Sequence, residues 1–360
     1  LPQRASDYGF ELDVGEAVYE DIITRLNANG VIAPDIMTAL RGAPETGELP
    51  LFGADFHWSS EGAKLAAEAI GAMIKADPSY ADATPKAFET EPAGVSSSFS
   101  AMRLGLQTFC VDALPPVETM TYETTEVASM APDDGALDIG LGDAPADAGE
   151  VDIFGNVAAD KHDVVLVGTS FSDSDVNNFA GFIEEYSGLE VINYAVTGGN
   201  QFGAITSYMS SREFRDSRPE YLIWESPIYN NLAGFGPSPM EELISLAGEQ
   251  CGDVLKSVKA DTNTLTADFG AEAPGPKDMV YIDFGAEGPR RVDVKLTTKT
   301  GIIREGHIER GDRLRATGLF SLWLEPYWLP GLASVEVKFD RALEDGASIS
   351  VCRNLKGNNL

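Results

Sequence analysis

Apolar residues recur at helical spacing in two stretches near the amino end of the chain. Val18, Ile22, Ile23 and Leu26 mark one face of a helix over about 15–27 that Asn29-Gly30 stops. Leu65, Ala66, Ala69, Ile70, Met73 and Ile74 mark the buried face of a second, from about Ser60 to Ala76, which ends before Pro78. The pattern then changes to a continuous apolar run, Val164-Val165-Leu166-Val167, entering a small-residue turn at Gly168-Thr169-Ser170. Beyond it come a helix near 176–186, a strand over 190–196, a glycine-rich loop, a helix near 202–214 and a strand at 221–225. Strand alternating with helix predicts a parallel sheet covered on both faces. After about Cys251 the period drops to two, with Val292, Val294 and Leu296 alternating with charged residues and Val335, Val337 and Phe339 repeating the rhythm. That pattern predicts a small antiparallel β-sandwich. The expected architecture is an α/β domain over 1–248 followed by a sandwich over 249–355.

Length and charge narrow the function classes. A chain of 360 residues is long enough for two domains. No apolar run approaches the eighteen or so residues of a membrane helix. The formal net charge of -31 speaks against nucleic acid, whose partners carry basic stripes. Two local basic groups stand out, Arg212, Arg215 and Arg218 after the glycine loop and Arg290, Arg291, Lys295, Lys299 and Arg304 downstream, which read either as a groove or as a solvated face. Over about 132–160 the composition shifts to Asp, Ala, Gly and Pro, which cannot bury a core. Its Asp133, Asp134, Asp138 and Asp143 lack calcium-loop spacing, so the expectation is a solvated acidic loop and no metal.

The candidate chemistry lies in Asp55-Phe56-His57-Trp58 and Ser170. A serine hydroxyl needs a base, and histidine titrates where that work is done. The base needs an orienting acid, and Asp55 two residues before His57 can converge on the imidazole. Ser170 ends a buried strand in a tight turn, the place where active sites of open α/β sheets collect. Ser172 is the rival nucleophile. An oxyanion hole needs preorganised N–H donors, for which the Ser170 amide with Gly199 or the Asn200 side chain are candidates.

Asp-x-His-Trp followed later by a strand ending in Gly-Thr-Ser-aromatic-Ser resembles the alginate O-acetyltransferase family of the AlgX and AlgJ type. The likeness extends through Ala54 to Ala63, Asn178-Phe179, Gly198 to Gly203 and Leu222 to Pro227, in the family's order. It implies an SGNH-hydrolase-like parallel sheet flanked by helices, then a carbohydrate-binding β-sandwich. By the same resemblance Asp55, His57 and Ser170 form the triad. Tyr229 and Arg212 are expected to contact substrate, and Tyr327 and Trp328 to stack on sugars, whereas Phe320 and Trp323 read as core. The resemblance further implies a monomer in the periplasm that needs no cofactor beyond an acetyl donor. Its expected partners are a polysaccharide acceptor and a membrane acyltransferase system that supplies the acetyl group. The acidic charge sits awkwardly with an acidic polymer, so either the groove is locally basic or the polymer is less charged than alginate. A carbohydrate acetylesterase and a non-catalytic polymer-binding protein are the alternatives.

Leu1-Pro2-Gln3-Arg4 does not read as a signal peptide, and the family carries an additional amino-terminal segment, so truncation at that end is expected. Three cysteines, Cys110, Cys251 and Cys352, leave one without a partner. The resemblance pairs Cys251 with Cys352 in a disulfide and gives Cys110 a partner in the missing segment. Three reduced, buried thiols are the other possibility.

Overall fold

The computed structural model describes residues 9, 11–43, 47–53, 55–98, 101–127, 163–248, 253–270 and 273–353. The acidic stretch 132–160, with Asp133, Asp134, Asp138 and Asp143, and Cys251 lie outside the described residues. The chain forms two compact units: one runs to Val164 and includes Asp175–Val191, and the other comprises Val165–Ser174 and everything from Ile192.

In the first unit, helix α1 (Leu12–Ala28) buries none of its residues and ends at Gly30, whose φ of +82° suits glycine. Helix α2 (Ile36–Arg41) is capped by Asp35, which accepts from the Thr38 amide at 3.0 Å. Helix α3 (Ser60–Ala76) buries Ala63, Ala66, Ala67, Gly71 and Ile74. Leu65, Ala69, Ile70 and Met73, expected inside, are only half-buried. The physical reason is close helix packing. A Cβ on Gly71 would lie 2.7 Å from the Tyr186 side chain, so the smallest residues face the neighbouring helix. Strand β1 (Phe88–Ser98), helix α4 (Ala101–Gln107) and strand β2 (Val117–Glu126) follow, and β1 and β2 pair as an antiparallel ribbon irregular between Pro92 and Gly94. The sequence pattern did not predict this ribbon. Its residues are mostly Thr, Ser and Glu, and among the described ones only Thr119 is buried.

Strand β3 (Val164–Val167) is wholly buried and leads into the short helix α5 (Ser170–Asp173). Helix α6 (Phe179–Ser187), in the first unit, packs on α3, with Phe179 4.6 Å from Trp58 between ring centroids. With β4 (Val191–Asn193) and β5 (Tyr221–Trp224), β3 makes the parallel sheet of order β4-β3-β5, in which Tyr194 N donates to Leu166 O and Glu225 N to Val167 O, both at 2.8 Å. The helix expected over 202–214 is two, α7 (Asn200–Met209) and α8 (Arg212–Asp216). Ser211 breaks it, because its hydroxyl accepts from the Phe214 amide at 3.1 Å and caps α8. Helix α9 (Ser238–Ala247) completes this part.

The sandwich is built from β6 (Asp253–Val254), β7 (Ser257–Asp261), β8 (Thr264–Asp268), β9 (Met279–Asp283), β10 (Arg291–Thr298), β11 (Ile303–Glu309), β12 (Leu319–Trp323), β13 (Leu332–Phe339) and β14 (Ser348–Cys352). One sheet has the order β11-β10-β13-β8-β7 and the other β12-β9-β14-β6. The two-residue rhythm holds, since Val292, Val294 and Leu296 of β10 share a core with Val335, Val337 and Phe339 of β13. Phe320 is buried there, as expected.

Below the sheet edge Arg310 and Glu242 of α9 form a two-pronged ion pair at 2.9 and 2.6 Å, with side chains only 5% and 10% exposed. Losing one partner would strand a buried charge. Glu242→Ala is therefore expected to lower unfolding stability in urea by about 3 kcal/mol or more. Glu336→Ala, whose partner Lys295 lies 3.6 Å away on the exposed face, should stay within about 1 kcal/mol of the parent in the same titration.

Candidate active site

The segment carrying His57 is held from both sides. Phe52 N donates to His57 O at 3.1 Å, Ser59 N to Pro50 O at 3.1 Å, and the Ser59 hydroxyl to Leu49 O at 2.6 Å. Ser59 also caps α3 by accepting from the Gly62 amide. Gly62 has to be glycine, because a Cβ there would collide with the Pro50 carbonyl oxygen. On this frame the Asp55 carboxylate accepts from Phe56 N at 2.6 Å and lies 2.8 Å from His57 Nδ1. The Asp55 side chain is 2% exposed and the His57 ring 21%. An ionised carboxylate on Nδ1 fixes the proton there and places the acceptor lone pair on Nε2, the tautomer a general base requires.

Ser170 is the first residue of α5, directly after the Thr169 cap, in the second unit. The turn is clamped by a residue whose role the sequence did not disclose. Glu225, just past β5, accepts from Thr169 N at 2.7 Å, from the Thr169 hydroxyl at 2.9 Å and from the Ser172 hydroxyl at 3.1 Å. Gly168 makes room for it, since a Cβ there would lie 2.6 Å from Glu225 Oε2. Ser172, the rival nucleophile, is 2% exposed and committed to this carboxylate.

The glycine loop is tied to the same helix through Asn193 Nδ2 to Ser172 O and Thr197 N to Asp173 Oδ2, both at 2.7 Å. Within it the Gly199 amide donates to Val196 O at 3.0 Å, so that N–H is already used in a turn. Asn200 adopts a left-handed φ of 54°, and its Oδ1 accepts from Phe202 N at 2.8 Å, which orients the Nδ2 end as a donor.

Residues 5–228 match the family described as SGNH hydrolase-like domain, acetyltransferase AlgX. The chain belongs to this family. AlgX of Pseudomonas aeruginosa is 29% identical over 64% of the chain and 44% of its own length. AlgX of Azotobacter vinelandii is 31% identical over 75% of the chain and 53% of its own length. A probable alginate O-acetylase AlgJ of Pseudomonas fluorescens is 28% identical over 65% and 56%. The chain thus spans about half the length of these relatives. The solved structure of Pseudomonas aeruginosa AlgX superposes with a TM-score of 0.72 at 21% identity, over 97% of this chain and 78% of that one, a likeness of fold.

Around this AlgX-type core the remaining expected contacts are distributed unevenly. Tyr229 is exposed and lies 6.3 Å from the Phe171 ring, beside Ser170 in sequence. Arg212 is bound to Asp283 at 2.8 Å, an acid that Arg215 also reaches, and Arg218 donates to the Ala247 and Gly248 carbonyls. Arg291 likewise meets Asp293 and Glu309. Arg212, Arg215, Arg291 and Lys295 are thus internally paired with acids. Tyr327 lies against Gly306 and in the wall of a cavity of about 250 Å³ that Asn200, Phe235, His307 and Trp323 also line. Trp328 instead packs on the sandwich core and donates to Pro274 O at 2.8 Å. Trp323, expected in the core, is the second ring of the cavity wall because β12 alternates and turns it away from Phe320 and Leu322.

The disulfide expected between Cys251 and Cys352 is not found among the described residues, where no disulfide joins two cysteines. Cys110 is a free, exposed thiol, the cysteine expected to lack a partner within this sequence. Cys352 is buried at the end of β14 and is not a free thiol, and its expected partner Cys251 lies outside the described residues.

Removing the Glu225 clamp should leave a folded protein with a misplaced Ser170. Glu225→Gln is expected to lower kcat for a small acetyl ester by about tenfold to a hundredfold with little change in KM, because a displaced nucleophile loses reaction geometry rather than binding. Equal kcat in a variant with parental circular dichroism would show that the clamp serves stability alone.

Proposed function

We propose that this chain is a serine-dependent O-acetyltransferase acting on an exported polysaccharide, alginate or a related polymer, in the periplasm. The reading is supported above all by the 2.8 Å pairing of Asp55 with His57 Nδ1, in a family linked to alginate O-acetylation. In this proposal His57 takes the Ser170 proton as Oγ attacks the acetyl carbonyl of the donor ester. The bond from carbonyl to donor oxygen breaks, the departing oxygen receives the proton from His57, and acetyl-Ser170 remains. A polymer hydroxyl then gives its proton to His57 and attacks the acyl carbon, and Ser170 leaves with the proton returned. Asp55 holds the imidazole tautomer and stabilises the imidazolium throughout. The Ser170 amide and the Asn200 Nδ2 group are the proposed oxyanion donors. The aromatic-walled cavity of Trp323 and Tyr327 is the proposed grip on sugar rings, with Tyr229 nearer the reacting serine in sequence. The acetyl donor is a small ester or carrier served by a membrane acyltransferase system.

Ser170→Ala is expected to abolish both acetyl-ester turnover and the acetylated Ser170 peptide found by mass spectrometry after a donor pulse. Ser172→Ala should retain turnover within a few-fold, since it loses one hydrogen bond worth about 1.5–3 kcal/mol of local support. The reverse pattern would move the nucleophile to Ser172. Supplying donor with and without oligouronate and weighing the products separates transfer from hydrolysis, and acetate as the sole product in both would make the protein an esterase.

Trp323→Ala should cost about 1 kcal/mol or more of polymer affinity if the ring stacks on sugar, read as a raised KM for polymer with unaltered turnover of a small ester. An unchanged polymer KM would remove this cavity from the acceptor path.

A further inference from the structure

A second cavity, of about 270 Å³, lies against α7 and shares Leu314 with the one lined by Tyr327. Ala204, Ser207 and Tyr208 of α7 face it, Tyr194 and Val196 close one wall, and the 313–315 loop closes another. Leu314 can reach that wall because Gly203 lacks a side chain, a Cβ there lying 2.6 Å from Leu314 Cδ2. The polar groups in it are arranged unusually. Ser207 Oγ and Tyr208 Oη are buried, on residues 6% and 3% exposed, and neither hydroxyl has a hydrogen-bond partner among the described residues. Buried hydroxyls without partners are costly to leave unmade and mark a place where a ligand's oxygens are missing. Tyr194, stacked on Tyr208 at 5.2 Å, spends its hydroxyl on Glu213 at 2.5 Å.

Charge at the rim comes from two arginines that differ in their partners. Arg315 is neutralised by Glu287 at 2.6 Å and Glu213 at 3.7 Å. Arg313 donates one hydrogen bond, to Thr197 O at 3.0 Å, and is paired with no carboxylate among the described residues. A guanidinium has five N–H donors, so most of its fork remains for an anion. In a chain of net charge -31 this arginine differs from Arg212 and Arg291, which are paired with acids.

We propose that this cavity binds a single sugar-acid unit, a hexuronate ring whose carboxylate meets Arg313 and whose hydroxyl or ring oxygens accept from Ser207 and Tyr208. The apolar walls suit the C–H face of a pyranose, and they disfavour inorganic phosphate, which would lose its hydration without enough donors to replace it. The volume falls just below that of pockets for drug-sized ligands and suits one ring. The choice of sugar acids rests on the acetyltransferase reading. The site is distinct from the cavity lined by Trp323, and it would hold a unit of the acidic polymer without a basic groove.

The test is calorimetric binding of trigalacturonate to the purified chain, with maltotriose as the uncharged trisaccharide and inorganic phosphate as the bare anion. Trigalacturonate should bind about tenfold tighter than maltotriose, and Arg313→Ala, a change on an exposed side chain, should erase that preference. Ser207→Ala should weaken trigalacturonate several-fold, and Ser170→Ala should bind it like the parent. Equal affinity for the two trisaccharides, an unaltered preference in Arg313→Ala, displacement of trigalacturonate by equimolar phosphate, or no saturable binding would each overturn the proposal. Because the readout is binding, loss of acetyl transfer with trigalacturonate binding intact would sink the transferase reading alone. Intact transfer without this binding would sink only the site.

Discussion

The convergence of three donors on one carboxylate, that of Glu225, organises the turn that carries Ser170 in the second unit. The Thr169 amide and hydroxyl and the Ser172 hydroxyl all end on it. A carboxylate accepting several donors binds each more strongly than a neutral group would. It therefore ties the end of β5 to the turn after β3, and Gly168 is required because the carboxylate occupies the space of a side chain. Gly-Thr-Ser and Trp-Glu-Ser-Pro, separated by more than fifty residues, are two halves of one device. The position of Ser170 is thus a tertiary property of the sheet, while the Asp55-His57 pair is fixed by contacts within ten residues of chain and by the start of α3.

That contrast explains what was legible in the sequence. Asp55 and His57 are close in sequence, and their hydrogen bond follows from local geometry, so the motif predicts it. The run Val164 to Val167 and the alternation of β10 and β13 are legible because burial imposes a period on composition. The β1–β2 ribbon escaped because its Thr, Ser and Glu residues carry almost no apolar period. The break between α7 and α8 escaped because Ser211 acts by capping, a one-residue effect that apolar spacing does not register. Trp323 was assigned to the core, yet the phase of β12 decides its side, and composition cannot supply the phase; Trp328, outside any strand, was assigned to the surface and packs on the core instead. Arg212 was read from its neighbours in sequence, whereas its partner Asp283 comes from β9 in the sandwich.

The charge of the chain acquires a different meaning in the fold. Arginines that look like a basic stripe in sequence are distributed among specific acids, and such pairs add little attraction for a distant polyanion. Recognition of a polymer by this surface would have to rely on aromatic faces and on isolated guanidinium groups rather than on a continuous field. A field of net negative sign also slows the approach of a polyanion and makes association faster at higher ionic strength, the reverse of the usual steering of oppositely charged partners.

The ion pair between Arg310 and Glu242 has a consequence for how such proteins diversify. Each partner is buried and intolerable alone, so a sandwich cannot be exchanged between relatives as a cassette unless the acid on α9 travels with it. A recombination crossover placed between residues 242 and 310 would pass only in lineages that already share both residues. Diversity is then expected to accumulate in loops such as the one after β11, rather than by wholesale replacement of the sandwich.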